Sequence, residues 1–428
     1  SVVEAVEVSG TERTDTPLGT TQLAGAPADV LDVAALGRAR RSLYATGAYS
    51  LVEVERTPVS PTPATSADAP FTAATGDLPV DVHVRVREVQ PFQLGYGVSF
   101  DTERGLGGVL EFTNTNSLGH ARQAGVSTRY DSQLRQVRAY VSQPFLASFP
   151  LQTTAAVYLR QERSPAADVS RVVDLDRTGA SLQQERRFAG HYVWNYGVRW
   201  ERAHTLDQGA DRVLDQRTTV APFTSTLTRE TRDDVLDASR GSFVSHAFSF
   251  APRWLGADAA YLRYYGQAFT YVPLRPPTRE RLTNEILRPR LVWASGVRLG
   301  LARGLGGGVP LGERFFGGGS NSVRGFAQNT LGPRDVNGAA AGGAATLVAN
   351  SELRFPVVSI VDGVGFVDLG GVSARVSDWR WSDLRASAGL GVRVRTPWFL
   401  LRGDYGLVLD RRRGEPRGRL FFGIGQAF

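Results

Sequence analysis

The sequence predicts a membrane all-β protein, in which a small α+β domain (residues 1–90) precedes a sixteen-stranded antiparallel transmembrane β-barrel (residues 91–428). Three observations support this prediction. After Pro91, segments of about ten residues alternate apolar and polar side chains, with turn-rich stretches between them. Large aromatic residues lie near the ends of the apolar faces, whereas Arg and Gly fill the polar faces. The chain finishes on one more alternating segment, which ends at Phe428.

Helical periodicity is confined to the first ninety residues. The stretch 29–47 spaces its apolar residues along one helix face, and Gly47 suits the left-handed position just past a helix end. A strand is predicted at 49–56, and the Pro/Ala/Thr/Ser stretch 57–77 predicts a surface loop. With an apolar segment at 3–8, a second clear strand completes the domain, and four valines share one of its faces: Val80, Val82, Val84 and Val86.

The later segments reverse the facing of a soluble sheet. In "HYVWNYGVRWE" (191–201), one face carries two Trp, two Tyr and a Val, and the other face carries polar residues and Gly197. Rows of large aromatics compete for volume in a sandwich core, and arginines do not suit the inside of a small barrel. Apolar side chains turned to lipid, aromatic girdles and a polar lumen explain both faces. A soluble all-β array is the alternative.

Sixteen such strands are predicted. An even number lets both ends of an antiparallel barrel emerge on one side, and closure removes the strand edge that lipid would not tolerate. The longer connections are 203–220, 303–344 and 373–382. The predicted strands are 92–103, 106–116, 121–130, 134–143, 151–162, 176–187, 191–202, 221–230, 242–253, 260–272, 288–302, 345–356, 361–372, 383–395, 398–409 and 417–428.

Composition narrows the function classes. All 49 basic residues are Arg, and the formal net charge is +7, but the arginines are scattered singly, which argues against nucleic-acid binding. The chain has no Cys, which excludes thiolate metal sites and cysteine nucleophiles. Its five His are dispersed without metal-ligand spacing, and no nucleophile-elbow motif occurs. We therefore expect no enzyme activity, no metal and no cofactor.

Six motifs in order resemble the outer-membrane assembly and translocation superfamily that includes BamA, TamA, two-partner-secretion transporters and patatin-fused barrels. "LGRARRSLYATGAYSLVEVE" looks like the end of a POTRA domain, and "LGYGVSFDTERGLGGVLEFTNTNSLG" like the first barrel hairpin. "TRDDVLDASRGSF" resembles the midway turn, and "GERFFGGGSNSVRGF" the signature loop. "NSELRFP" and "GFVDLGG" resemble the strands that follow. Two features depart from the pattern: the first POTRA helix, expected at 11–25, is poorly formed, and the loop at 57–77 is long.

The resemblance implies that the loop at about 303–344 folds into the lumen. Its arginine is Arg324 within Val323-Arg324-Gly325-Phe326, and its acidic partners are Glu352 and Asp368. A guanidinium withdrawn from water needs carboxylates, and the loop glycines let the backbone bend tightly: Gly317, Gly318, Gly319 and Gly325. The alternative is an extracellular loop with a solvated arginine.

A lateral seam is expected where the first strand, 92–102, meets the last, 420–428. Both carry glycines, which weaken strand pairing: Gly95 and Gly97, Gly423 and Gly425. A weak seam could open and offer an edge to an incoming strand, as the resemblance implies. Alternatively, the glycines only accommodate curvature. In "RLFFGIGQAF", Gln426 interrupts the apolar face that ends on Phe428.

The resemblance implies an outer-membrane factor that inserts and folds β-barrel proteins at the seam, with its POTRA-like domain in the periplasm. The expected partners are outer-membrane lipid, unfolded client barrels or a secreted passenger, and periplasmic accessory proteins. The valine-rich strand is expected to offer its edge to them. A secretion pore of the two-partner or patatin-fused type is the second hypothesis, and a passive porin is the third.

Overall fold

The computed structural model describes residues 2–14, 36–37, 40–41, 43–44, 46–58, 79–117, 119, 121–144, 151–165, 172–208, 213–275, 291–335, 338, 340–358, 360–396 and 398–426. By internal contacts the chain forms two units. One comprises Ser1–Gly95, Glu111–Val126 and Ala139–Ala155, and the other comprises Tyr96–Leu110, Ser127–Arg138 and Ala156–Phe428. Within the described residues, no helix has the length and apolar character needed to cross a bilayer.

The N-terminal region contains a three-stranded sheet, whose strands are β1 (Val2–Ser9), β2 (Tyr49–Pro58) and β3 (Pro79–Glu88). Helical residues occur at 36–37, 40–41 and 43–44, and Gly47 has φ 72° after them. Leu43 and Val52 pack in one cluster with Val82, Val84 and Val86 of β3. The loop was predicted at 57–77, but residues 57–58 continue β2 and residues 59–77 lie outside the described residues, as does most of the helix expected at 11–25.

The valine-rich strand β3 is central, which corrects one expectation. The sheet order is β1-β3-β2, with β1 parallel and β2 antiparallel to β3. Both backbone edges of β3 are therefore used within the sheet, and it has no free edge for a partner. Its four valines are buried on one face, so flanking β3 on both sides covers the most apolar strand of the domain.

The barrel prediction is confirmed: seventeen strand segments form one closed antiparallel barrel. Two consecutive segments pair with the same neighbour, β10, and together act as one spanning strand, which gives sixteen. The segments are β4 (Phe92–Asp101), β5 (Gly105–Ser117), β6 (Arg122–Tyr130), β7 (Leu134–Gln143), β8 (Gln152–Pro165), β9 (Val172–Phe188), β10 (Tyr192–Gln208), β11 (Val213–Val220), β12 (Phe223–Glu230), β13 (Gly241–Ala251), β14 (Tyr261–Pro273), β15 (Val292–Gly304), β16 (Ala345–Val358), β17 (Val361–Ser373), β18 (Arg385–Arg395), β19 (Leu400–Val408) and β20 (Gly418–Ile424).

Four single-turn 3₁₀ helices lie in the connections: Arg253–Leu255, Leu311–Glu313, Val376–Asp378 and Trp381–Asp383. The predicted connection 203–220 is wrong, because β10 and β11 continue as a regular hairpin there. The ladder runs from Glu201–Val220 to Gln208–Val213. Backbone pairing therefore extends this hairpin well past the strand lengths that the alternating pattern marked.

The side-chain facing is the reverse of that in a soluble protein. Trp293 and Leu390 are 48% and 73% exposed, whereas Arg393 is 1% exposed. Charged groups are almost never fully buried unless they are paired. The barrel therefore turns its apolar residues outward and encloses its charges in the lumen.

Candidate functional site

The segment between β15 and β16 lines the lumen and contains the signature motif. It is held by short bridges of its own, Phe315–Gly343 and Gly317–Leu331. Gly325 has φ 96°, a conformation that favours glycine. A Cβ built on Gly406 of β19 would lie 2.6 Å from the Gly325 nitrogen, so the loop backbone packs directly on the barrel wall.

Arg324 is 1% exposed and meets both carboxylates that the motifs predicted. Its Nε and Nη2 donate to the two oxygens of Asp368 at 2.7 and 2.8 Å, a bidentate pair. Its Nη1 donates to Glu352 Oε1 at 2.5 Å. The guanidinium also lies 3.5 Å from the ring centre of Phe366. The solvated-arginine alternative does not describe this residue.

Burial disfavours the charge on Arg324, but Glu352 and Asp368 outweigh it and raise the pKa of the guanidinium. The guanidinium of Arg324 therefore stays protonated and keeps its positive charge. Because a buried ion pair that loses one partner leaves an uncompensated charge, breaking it costs roughly 3–5 kcal/mol.

The sequence reasoning missed the third acid of this cluster, Asp404 on β19. It lies 3.6 Å from Arg324 Nη1 and accepts from Arg393 Nη1 at 2.6 Å. Arg354 donates to Glu352 at 3.1 Å. No motif marks Asp404, but alternation in "LLRGDYGLV" places Arg402 and Asp404 on the inward face, which is the signal that could have found it.

The residues beside Arg324 fix the loop by apolar packing. Val323 is fully buried, and a Cβ on Gly370 of β17 would lie 2.6 Å from its side chain. Phe326 packs in the same cluster as Val323 and Val408. The motif therefore places the guanidinium of Arg324 between two buried apolar side chains, Val323 and Phe326. They pack against a part of the barrel wall where glycine leaves room for the loop.

The seam between β4 and β20 is closed by little more than one rung. Among the described residues, one ladder pair joins them, Gly423–Asp101, and Thr102 N donates to Phe422 O at 3.0 Å. The expected pairing along 92–102 and 420–428 is therefore wrong for most of its length. Tyr96 and Val98 on the uncovered part of β4 are 85% and 78% exposed.

The glycines of the seam have different surroundings. Gly95 lies against Glu111, and a Cβ on Gly97 would have nothing within 4 Å. Gly425 has φ 95°, so the chain leaves the strand direction there, although its N–H still donates to Leu400 O on β19. Phe428, assigned to the seam from sequence, lies outside the described residues.

Gln426 turns into the lumen, which explains why it interrupts the apolar face. Its Nε2 donates to Asp237 Oδ1 at 2.9 Å, and Arg393 Nε donates to its Oε1 at 3.1 Å. Asp237 belongs to the midway turn between β12 and β13 and also binds Arg395 at 3.0 Å. The end of β20 is thus tied to the lumen instead of to β4.

In the described residues, no group of three or more His, Asp or Glu could hold a metal ion. The expectation of no enzyme activity stays a prediction. The cluster around Arg324 anchors the loop to the barrel wall, and the seam leaves most of the β4 edge without a β20 partner.

Comparison with known proteins matches residues 116–428 to the Omp85 superfamily domain. The outer membrane protein assembly factor BamA of Nitratidesulfovibrio vulgaris is 24% identical over 438 residues, which span all of this chain and 51% of that protein. BamA from Haemophilus ducreyi lacking POTRA domains 1–3 superposes with a TM-score of 0.80 at 17% identity, over 99% of this chain and 84% of the other. CdiB from Acinetobacter baumannii has a TM-score of 0.58 at 14% identity, over 99% and 73% of the two chains. The chain spans about half the length of its BamA relative.

Proposed function

Because the chain belongs to the Omp85 superfamily, we propose that it inserts and folds β-barrel proteins in the bacterial outer membrane by pairing their strands with its seam. The barrel and the likeness to BamA imply the outer membrane. We further propose that the N-terminal sheet lies in the periplasm and contacts clients or accessory proteins through β1 or β2, the two edge strands of its sheet.

The observation behind this proposal is the short pairing of β4 with β20. Residues 96–100 of β4 extend past the single rung at Asp101, so their outer N–H and C=O groups lack a ladder partner on β20. Unpaired backbone groups in hydrocarbon cost several kcal/mol each. A client strand that adds to β4 satisfies them, which is the physics of strand augmentation.

The Arg324 cluster stiffens the barrel wall, whereas the short pairing of β4 with β20 leaves the seam weak. It links the loop to β16, β17 and β19 by buried ion pairs and hydrogen bonds. The wall next to β20 is thereby held rigid, and deformation concentrates at the weak seam. No nucleotide or cofactor is needed, since strand pairing supplies the free energy.

A disulfide across the seam tests the proposal. If the antiparallel register of the Gly423–Asp101 rung is continued by one residue, Phe100 comes opposite Ile424, and the chain has no native Cys to interfere. We expect the oxidised Phe100→Cys/Ile424→Cys protein to lose client insertion into liposomes and to regain it on reduction. The matched control is Leu299→Cys/Leu347→Cys, which joins a rung between β15 and β16 that is already paired. Full activity with the seam locked would refute the proposal.

A secretion pore is the second candidate, supported by the fold likeness to CdiB. In that case a passenger crosses the lumen, and the segment around Arg324 must be displaced. The seam lock separates the two candidates, because it would leave passenger secretion through the lumen intact but would abolish client insertion at the seam. Secretion that continues with the seam locked would favour the pore, and insertion that is lost with the seam locked would favour the insertase.

A further inference from the structure

A cavity of about 390 Å³ lies between the barrel wall and the lumen segment. Seven arginines but only two glutamates, Glu162 and Glu313, line it. Arg104 and Gln133, in the turns after β4 and β6, place it at the barrel end opposite the start of β4. A pocket of this size is in the range of small-ligand sites.

Five of these arginines form ion pairs with carboxylates. Arg160 and Arg177 contact Glu162, and Arg199 donates to Glu313 at 2.7 Å. Arg104 and Arg163 each pair with an aspartate outside the cavity lining, Asp131 and Asp174.

Two arginines remain without a carboxylate among the described residues. Arg263 Nε donates to the Glu313 carbonyl at 3.2 Å, and its guanidinium lies 4.6 Å from the ring centre of Phe315. Arg314 donates to the carbonyls of Val309 and Ala341, both at 2.9 Å. Burial lowers the pKa of Arg314, with no acid to offset it. A partly buried charge without a counter-charge costs free energy, so an anion in the cavity would be stabilised.

Buried donors without partners point the same way. The Nε atoms of Arg160, Arg177 and Arg199 are buried and make no hydrogen bond to any residue that the structure describes. Buried donors are nearly always satisfied, so three in one cavity indicate a missing acceptor.

We propose that this cavity binds a phosphate-type dianion, a phosphate monoester or pyrophosphate, with Arg263 and Arg314 as its principal contacts. The guanidinium fork matches phosphate oxygens, and a dianion balances the two uncompensated cations. The ligand is either a free anion or the phosphorylated headgroup of a glycolipid. The inference does not depend on the proposed function.

Titration calorimetry of the full chain in non-ionic detergent at physiological salt tests the proposal with inorganic pyrophosphate as the probe. We expect one site per chain. Arg263→Gln and Arg314→Gln should each weaken the affinity about tenfold or more, as expected for a lost charged hydrogen bond. Arg380→Gln, which removes an exposed charge outside the cavity, should leave the affinity unchanged.

Heat-modifiable mobility in gels checks that each variant is folded. Arg314→Lys, which keeps the positive charge, should retain more pyrophosphate affinity than Arg314→Gln. Absence of binding in the parent chain overturns the proposal, as does equal affinity in the parent and both Gln variants.

Competition experiments identify whether the bound phosphate comes from a lipid headgroup or from a free anion. Displacement of pyrophosphate by diphosphoryl lipid A indicates a headgroup, and displacement by glucosamine 6-phosphate alone indicates a free anion.

Discussion

At the scale of single residues, Arg324 carries the connection between the loop and the barrel. Its guanidinium is buried and makes hydrogen bonds to two carboxylates from different strands, Glu352 on β16 and Asp368 on β17. No solvent is available to replace either acid. The residue therefore acts by charge and geometry together, which a lysine with a single ammonium would reproduce poorly.

Charge reversal at Arg324 should release the loop. Arg324→Glu places a fourth acid beside Glu352, Asp368 and Asp404, so we expect a loss of about 3–5 kcal/mol in the free energy of unfolding, measured in urea. Client insertion should fall together with the stability of the barrel. A second reversal, Glu352→Arg or Asp368→Arg, should restore part of both.

Arg375→Glu is the matched control for this series, since Arg375 is exposed. It should change neither stability nor insertion. If Arg324→Glu inserted clients as well as the parent chain does, the Arg324 motif would not be needed for insertion.

Acid should release the connection between β19 and β20. Hydrogen bonds from Arg385 hold the pKa of Glu415 at about 2, below its ordinary value of 4.5. A lowered folded-state pKa stabilises the loop above the ordinary value, and the stabilisation disappears as the pH falls through about 2. The amide signal of Arg412, which donates to Glu415, should titrate near the lower value. A midpoint near 4.5 would contradict this.

At the scale of elements, the loop sits on the wall because the wall lacks side chains there. Gly406→Ala puts a methyl group into the Gly325 backbone, so we expect a loss of about 1–3 kcal/mol, from overpacking. Gly365→Ala on β17 is the control, because nothing lies within 4 Å of its Cβ position. Thermal unfolding of both variants measures the difference.

The last strand is a second element whose position depends on few contacts. Gln426→Leu removes the hydrogen bonds to Asp237 and Arg393, so the end of β20 becomes free to pair with β4. We expect Phe100→Cys/Ile424→Cys to form its disulfide several times faster in this background. Gln184→Leu, remote in sequence from this end on β9, serves as the control. An unchanged rate would mean that Gln426 does not hold the strand.

At the scale of the whole molecule, alternation predicted the strands, and the facing of the aromatic and charged residues predicted that the strands form a membrane barrel. Strand periodicity is local, so β5, β7 and β17 lie within a few residues of their predicted bounds. Glycine and charge composition also predicted which face is inward. The Arg324 partners could be assigned because each lies in a motif of its own.

The rest depends on contacts between distant parts of the chain. Asp404 meets Arg324 only after β19 is placed beside β18, and Asp237 meets Gln426 across the lumen. The short pairing at the seam coincides with the left-handed backbone at Gly425 and with the contacts of Gln426 to Asp237 and Arg393, and strand alternation specifies neither. The central position of β3 likewise depends on which strands flank it.

The central claim is that a client strand pairs with the free edge of β4, and site-specific cross-linking tests it most directly. Val98→Cys lies on that edge, and Leu299→Cys lies on an outward face remote from it. During insertion, Val98→Cys should form disulfides with alternate cysteine positions along the last strand of a client barrel, and Leu299→Cys should form none. Cross-links that are absent at Val98→Cys, or equal at the two sites, would contradict the account.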